Sequence, residues 1–171
     1  SSNEKTAVEE ALGMSFCGKR SMVSMKHVGL NVAADAFVNS AMTGANGGML
    51  VISADDPSMH SSQNEQDSRF YARFAMTPCL EPSNQQEAYD MAAYGFGLSE
   101  RLRIPVMVRL VTRLSHSRAQ VATEPEAAAE NTLSYPQNPR QWVLMPGNSR
   151  VRYRELIADR EREIERIQDM K

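Results

Sequence analysis

Lys26, His27, Gly29 and Asn31 fall within one run, KHVGLN, directly after the short apolar stretch SMVSM. An ammonium group beside a helix N-terminus favours an anion such as a carboxylate or phosphate. Gly29 lacks a Cβ and permits close approach of a ligand. His27 can hydrogen-bond or carry a proton. A surface lysine and a hydrogen-bonded histidine in an ordinary turn fit the local pattern as well.

Two other segments place chemistry after a strand. SADDPSMHSSQNEQDSR carries Asp55 and Asp56, a pair able to bind a metal or a hydroxyl group. The same pair also suits a capped turn before Pro57. Arg69 and Arg73 come next at helical spacing, within reach of an anionic ligand or simply solvated. RLVTRLSHS adds Arg113 and His116. Taken alone, Glu4 is an acid in a helix's first turn, which suits the dipole and reads as structural. The sequence contains no GxSxG or HExxH, and TGANGGM matches neither GxGxxG nor a P-loop. TGANGGM comes after a helix rather than a strand, so it reads as a helix stop and turn.

The elements that must position these groups are legible from periodicity. Helices are expected over residues 3–18, 31–42, 67–74, 84–103 and 152–170. In the first, Asn3 serves as cap and Gly18 as stop; the fourth opens on the capping box Asn84 to Glu87. The last is highly charged, with Leu156, Ile157, Ile164 and Ile167 as its apolar stripe. Strands are expected over 21–25, 48–53 and 104–110, with a short extended piece at 78–80 and one more short strand or extended segment at 142–145. Alternating strands and helices with continuous apolar strand centres predict an α/β fold. Its sheet is mostly parallel with helices on both faces, and a charged C-terminal helix completes the chain. Ligands of such sheets bind beyond the carboxyl ends of the strands. The expected organisation is an α/β domain over 1–118, a linker or loop over 119–140, and a short extended segment with a helix over 141–171.

The totals exclude several classes. The chain has 171 residues, 42% hydrophobic and 23% charged, which is enough for one globular domain. A net charge of −2 gives no electrostatic case for nucleic acid or an anionic membrane. No apolar run is long enough to cross a bilayer. Cys17 and Cys79, without CxxC spacing, give neither a disulfide framework nor an iron–sulfur site, so a cytoplasmic setting is the expectation.

NEKTAVEEALGMSFCGKRSMVSMKHVGLNVAADAFVNSA and SADDPSMHSSQNEQDSR together closely resemble the alpha subunits of the 2-oxoacid:ferredoxin oxidoreductases, of the indolepyruvate type. The resemblance covers nearly the whole chain and implies the aminopyrimidine-binding domain of a thiamine diphosphate enzyme. The implied reaction is oxidative decarboxylation of indolepyruvate or a related aryl pyruvate. The acyl group passes to coenzyme A and two electrons pass to ferredoxin. By the same resemblance Glu4 is the catalytic and cofactor-binding carboxylate that meets N1′ of the aminopyrimidine, which reverses the reading of Glu4 alone. His27 is then a catalytic candidate near the substrate oxygen. Lys26, Gly29, Asn31, Arg69 and Arg113 are substrate-binding candidates, with Lys26 for the 2-oxo acid's carboxylate and Arg73 as an alternative to Arg69.

The implied partners are a thiamine-diphosphate-binding domain of the same subunit type, a beta subunit, ferredoxin and coenzyme A. Against that pattern the chain lacks an earlier helix and strand, the domain that grips the diphosphate through magnesium, and a cysteine-rich segment. The expectation is therefore a fragment, inactive alone, with magnesium and 4Fe–4S clusters belonging to missing parts of the subunit. Two rivals remain: a related oxidoreductase acting on another 2-oxo acid, and a noncatalytic binding or assembly module of the same fold.

Overall fold

A computed structural model describes residues 1–123, 132–135 and 137–169, with side chains of the last helix described as far as residue 163. Among these residues four strands form one sheet: β1 (Ser21–Lys26), β2 (Met49–Asp55), β3 (Cys79–Leu80) and β4 (Val106–Val111). Their order is β1-β2-β4-β3, and every pairing is parallel. Among the described residues six α-helices accompany them: α1 (Glu4–Phe16), α2 (His27–Thr43), α3 (Arg69–Ala75), α4 (Gln85–Leu102), α5 (Thr112–Ser115) and α6 (Pro146–Asp169).

Alternation along β2 divides the core. Met49 and Val51 face a cluster with Val8, Leu30, Phe37, Ala72 and Leu156, drawn from α1, α2, α3 and α6. Leu50 and Ile52 face the other way, against Leu98 of α4 and Val106 and Val108 of β4. Helices thus lie on both faces, as the apolar strand centres require. The edge strand β1 is the exception, because its Met22, Ser24 and Lys26 remain exposed.

The caps agree closely with the sequence. Asn3 accepts from the Thr6 amide at 2.9 Å, and Asn84 accepts from the Glu87 amide at 2.9 Å. Gly44 ends α2 at φ 85°, a left-handed conformation open to glycine, so TGANGGM does stop a helix. Three expectations are corrected. First, α2 begins at His27, not Asn31. Buried residues at 27, 30, 33, 36 and 37 carry the helical period back to the end of β1, and Gly29 sits inside the first turn rather than in a loop. Second, residues 142–145 form no strand. A 3-10 turn (Pro139–Gln141) leads instead into Trp142, whose ring lies 4.2 Å from that of Phe16. Third, α6 starts at Pro146, six residues earlier than expected. Its Leu156 is buried in the core, and Arg152 donates to the Met42 carbonyl at 3.1 Å. The expected stripe positions Ile164 and Ile167 have side chains outside the described residues.

Candidate functional site

Because all four strands are parallel, one edge of the sheet collects the segments that leave their carboxyl ends: the start of α2, the loop 56–68, Glu81, and α5. The structure ties these segments together. Asp56 is buried, and its carboxylate accepts from the Thr112 hydroxyl at 2.7 Å, the Ser61 amide at 2.7 Å and the His60 amide at 3.1 Å. The Thr112 hydroxyl and the Ser61 amide hold its pKa well below the usual carboxylate range, against the effect of burial. Asp56 thus fixes a turn rather than presenting a ligand. Within that turn Ser58 and Met59 adopt left-handed φ of 66° and 56°, strained for residues with a Cβ. The Ser58 amide is held by Glu65 at 2.9 Å.

Lys26 closes the same turn. Its Nζ donates to the Ser61 carbonyl at 2.9 Å. An ammonium has three donors, so this contact leaves capacity for an anion at the α2 N-terminus. His27, the first residue of α2, is fully buried, and among the described residues neither ring nitrogen finds a partner. Buried imidazole nitrogens normally pair, so this ring carries unsatisfied hydrogen-bonding capacity at the edge. The alternative of a hydrogen-bonded histidine in a turn is not what the fold contains.

Glu4 reaches this edge from α1. A Cβ built on Gly29 would stand 2.6 Å from Glu4 Cγ and 2.9 Å from its Oε1. The carboxylate therefore rests on bare backbone in the first turn of α2, half-buried. Gly29 matters because it makes room for a carboxylate, not because it frees a loop. Gly29→Ala should displace Glu4 while raising helix propensity by about 0.5–1 kcal/mol. The expected result is a melting temperature unchanged or slightly raised, with thiamine diphosphate binding lost in the complete enzyme. Retained binding would show that Glu4's seat is unimportant.

Asn31 is exposed on α2, and its amide oxygen accepts from the Tyr71 hydroxyl at 2.5 Å. Tyr71 was not singled out by the sequence. Arg69 is not open to a ligand in the same way. Its guanidinium forks onto Asp67 at 2.6 Å and lies 3.8 Å from Glu81, and its pKa is raised by the Asp67 hydrogen bonds. Arg73 lies one turn further along α3, exposed. Arg113 is exposed on α5 with no hydrogen bond or ion pair among the described residues.

The sequence missed a buried network. Asp55, with no exposed side-chain surface, accepts from Arg109 Nε at 2.6 Å and from the Ser68 amide at 2.9 Å. Arg109 also meets Glu81 at 2.6 Å and Asp67 at 3.8 Å. Burial works against the Arg109 charge, but its hydrogen bonds to Asp55 and Glu81 outweigh that and raise its pKa. The readable signal was Arg109 itself, a charge inside a parallel strand, which demands a partner.

Among the described residues no group of three or more His, Cys, Asp or Glu is placed to hold a metal ion, and no helix is long and apolar enough to cross a membrane. The residues at this edge do fit an aminopyrimidine ring. A half-buried carboxylate over bare glycine backbone can meet a protonated ring nitrogen, and unpaired imidazole nitrogens lie in the same turn of α2.

A protein-family model described as pyruvate flavodoxin/ferredoxin oxidoreductase, thiamine diphosphate-binding, matches residues 1–163. Indolepyruvate oxidoreductase subunit IorA of Methanothermobacter marburgensis is 48% identical over 167 residues, covering 98% of this chain and 27% of that protein. The Archaeoglobus fulgidus protein of the same name is 44% identical over 167 residues, covering 97% and 27%. The chain thus spans little more than a quarter of these relatives. Among solved structures, a 2-oxoglutarate:ferredoxin oxidoreductase from Magnetococcus marinus shares the fold, with a TM-score of 0.68 at 15% identity, covering 96% of this chain and 36% of that one.

Proposed function

The chain belongs to the thiamine diphosphate-binding pyruvate flavodoxin/ferredoxin oxidoreductase family, and on that premise we propose that it forms the aminopyrimidine side of an indolepyruvate:ferredoxin oxidoreductase. The proposed reaction converts indolepyruvate and related aryl pyruvates to acyl-CoA, with ferredoxin as electron acceptor. The names of relatives at 44–48% identity support the substrate. The observation that carries the site is the Glu4 carboxylate lodged against Gly29 at the carboxyl edge.

Bound thiamine diphosphate would supply a carbon able to add to the 2-oxo group and stabilise the charge left by loss of carbon dioxide. Glu4 would hold the aminopyrimidine by sharing a proton between its carboxylate and N1′, keeping the ring in the tautomer that can accept a proton at its exocyclic nitrogen. Lys26 would take the substrate carboxylate through the donors that Ser61 leaves free. His27 would hydrogen-bond or pass a proton near the substrate oxygen. Asn31, oriented by Tyr71, would offer its amide nitrogen to the substrate. We assign the magnesium ion, the diphosphate grip and the 4Fe–4S clusters to parts of the enzyme outside these residues, together with the beta subunit and the ferredoxin contact.

The test is turnover by the complete enzyme. Indolepyruvate should be decarboxylated with coenzyme A and ferredoxin only when thiamine diphosphate is present, and in preference to pyruvate and 2-oxoglutarate. Preference for another 2-oxo acid would transfer the chain to a sister activity. Lys26→Met should raise the KM for indolepyruvate by about tenfold or more, the size of a lost charge-assisted hydrogen bond, with kcat little changed. An unchanged KM would remove Lys26 from the site.

A further inference from the structure

We propose that the cavity between α3 and α6 is a second site, which binds a small organic acid with an apolar body and one carboxylate. The cavity has a volume of about 390 Å³, the size of a small-molecule pocket. It runs along α3 to the amino ends of β3 and β4, where Pro78 and Ile104 line it, away from the turn held by Lys26 and Asp56. Its walls are apolar, from Ala72, Met76 and Leu156 among others. Cys79 belongs to the same lining, and burial pushes its thiol up to about 11, which keeps it neutral.

Two polar features point to an occupant. Thr77 lines the cavity at only 8% exposure, and among the described residues its hydroxyl has no partner. The second feature is the charge on the rim. Asp159 is paired with Arg162, Glu163 with Arg101, and Arg69 with Asp67. Among the described residues Arg73 and Arg160 have no ion-pair partner, although both line the cavity. An apolar floor, an unsatisfied hydroxyl and two uncompensated guanidinium groups complement a carboxylate on an aromatic or branched aliphatic body. A purely apolar guest would leave the guanidiniums unused, and a free inorganic anion would leave the floor wet. This inference does not depend on the thiamine diphosphate reading.

The experiment is calorimetric titration of the complete enzyme with 4-phenylbutyrate, and with 4-phenylbutan-1-ol as its uncharged counterpart. A probe of this size should saturate a single site at roughly 0.1–1 mM. The double variant Arg73→Gln with Arg160→Gln should weaken the acid by about tenfold, and the alcohol should bind the unaltered protein more weakly by a similar factor. Thr77→Val should weaken the acid as well, and the arginine variants should keep the parent melting temperature because both side chains are exposed. Lys26→Met should leave the titration unchanged, which separates this cavity from the carboxyl edge. The proposal is overturned if the probe does not saturate, as it would not if other parts of the enzyme fill the cavity. It is equally overturned if the double variant binds like the parent, if the alcohol binds as well as the acid, or if Lys26→Met alone removes binding.

Discussion

Glu4→Gln in the complete enzyme is expected to lower turnover by about 10²–10³-fold, the range of a positioned proton-transfer group, with the fold intact. The amide is nearly isosteric and can still rest on Gly29, so packing is not disturbed. What it would lose, on the proposed function, is the ability to hold a shared proton opposite N1′. A structural role makes a different forecast. Glu4 lies in the first turn of α1, where a negative charge is worth about 0.3–1 kcal/mol against the helix dipole. If that were its whole purpose, Glu4→Gln would lower the melting temperature slightly and leave turnover alone. Glu4→Asp separates the two. It keeps the charge in the first turn but draws the carboxylate back by one methylene, so the dipole reading predicts a neutral change and the proton-sharing reading predicts another large loss. Parallel measurement of kcat, thiamine diphosphate affinity and melting temperature on both variants decides the matter. Full turnover in Glu4→Asp together with Glu4→Gln would end the assignment of Glu4 to the site.

The parallel sheet and the edge that carries the site were readable because apolar strand centres and caps are local signals. SMVSM and GMLVIS alternate with helical segments, and Asn3 and Asn84 cap the helices they precede. The start of α2 was misread because Gly29 is a poor helix former by propensity. Its tertiary reason for being there, the Glu4 side chain, arises from a contact spanning 25 positions of sequence. No pattern within α2 announces that contact. The functional weight of Glu4 came from resemblance alone, since a first-turn acid is ordinary. Arg69 shows the opposite limit. Its helical position was legible, but Asp67, two residues earlier, folds back and occupies the guanidinium. Residues 142–145 could be read as a strand because they are apolar between polar neighbours. Trp142 instead packs on Phe16, and a strand there would have needed an open sheet edge.

Asp55→Ala should give the largest loss of stability of any single change at this edge, about 3–5 kcal/mol, because it breaks a buried charge pair on one side only. Asp55 has no exposed side-chain surface and Arg109 only 11%, so water cannot readily replace the lost contact. The deletion also orphans the Ser68 amide and takes one of two partners from the Ser68 hydroxyl, which keeps Ser53 at 2.7 Å. Ser68 directly precedes α3, so the loss travels to the helix that holds Tyr71 against Asn31. Arg109 would keep Glu81 at 2.6 Å, which is why the protein should weaken rather than fail to fold. A double-mutant cycle gives the sharper result. In Asp55→Ala with Arg109→Met the uncompensated charge is gone, and the pair should lose less stability than the sum of the single changes, by about 1 kcal/mol or more as contacting residues do. Urea denaturation of the three variants measures this directly. Additive losses would mean that the two side chains stabilise the fold independently and that the ion pair between β2 and β4 is incidental. A coupled loss would show that the carboxyl edge is held by charge where its apolar core has ended. There β2 runs out at Asp55, whose side-chain contact with β4 is electrostatic rather than hydrophobic.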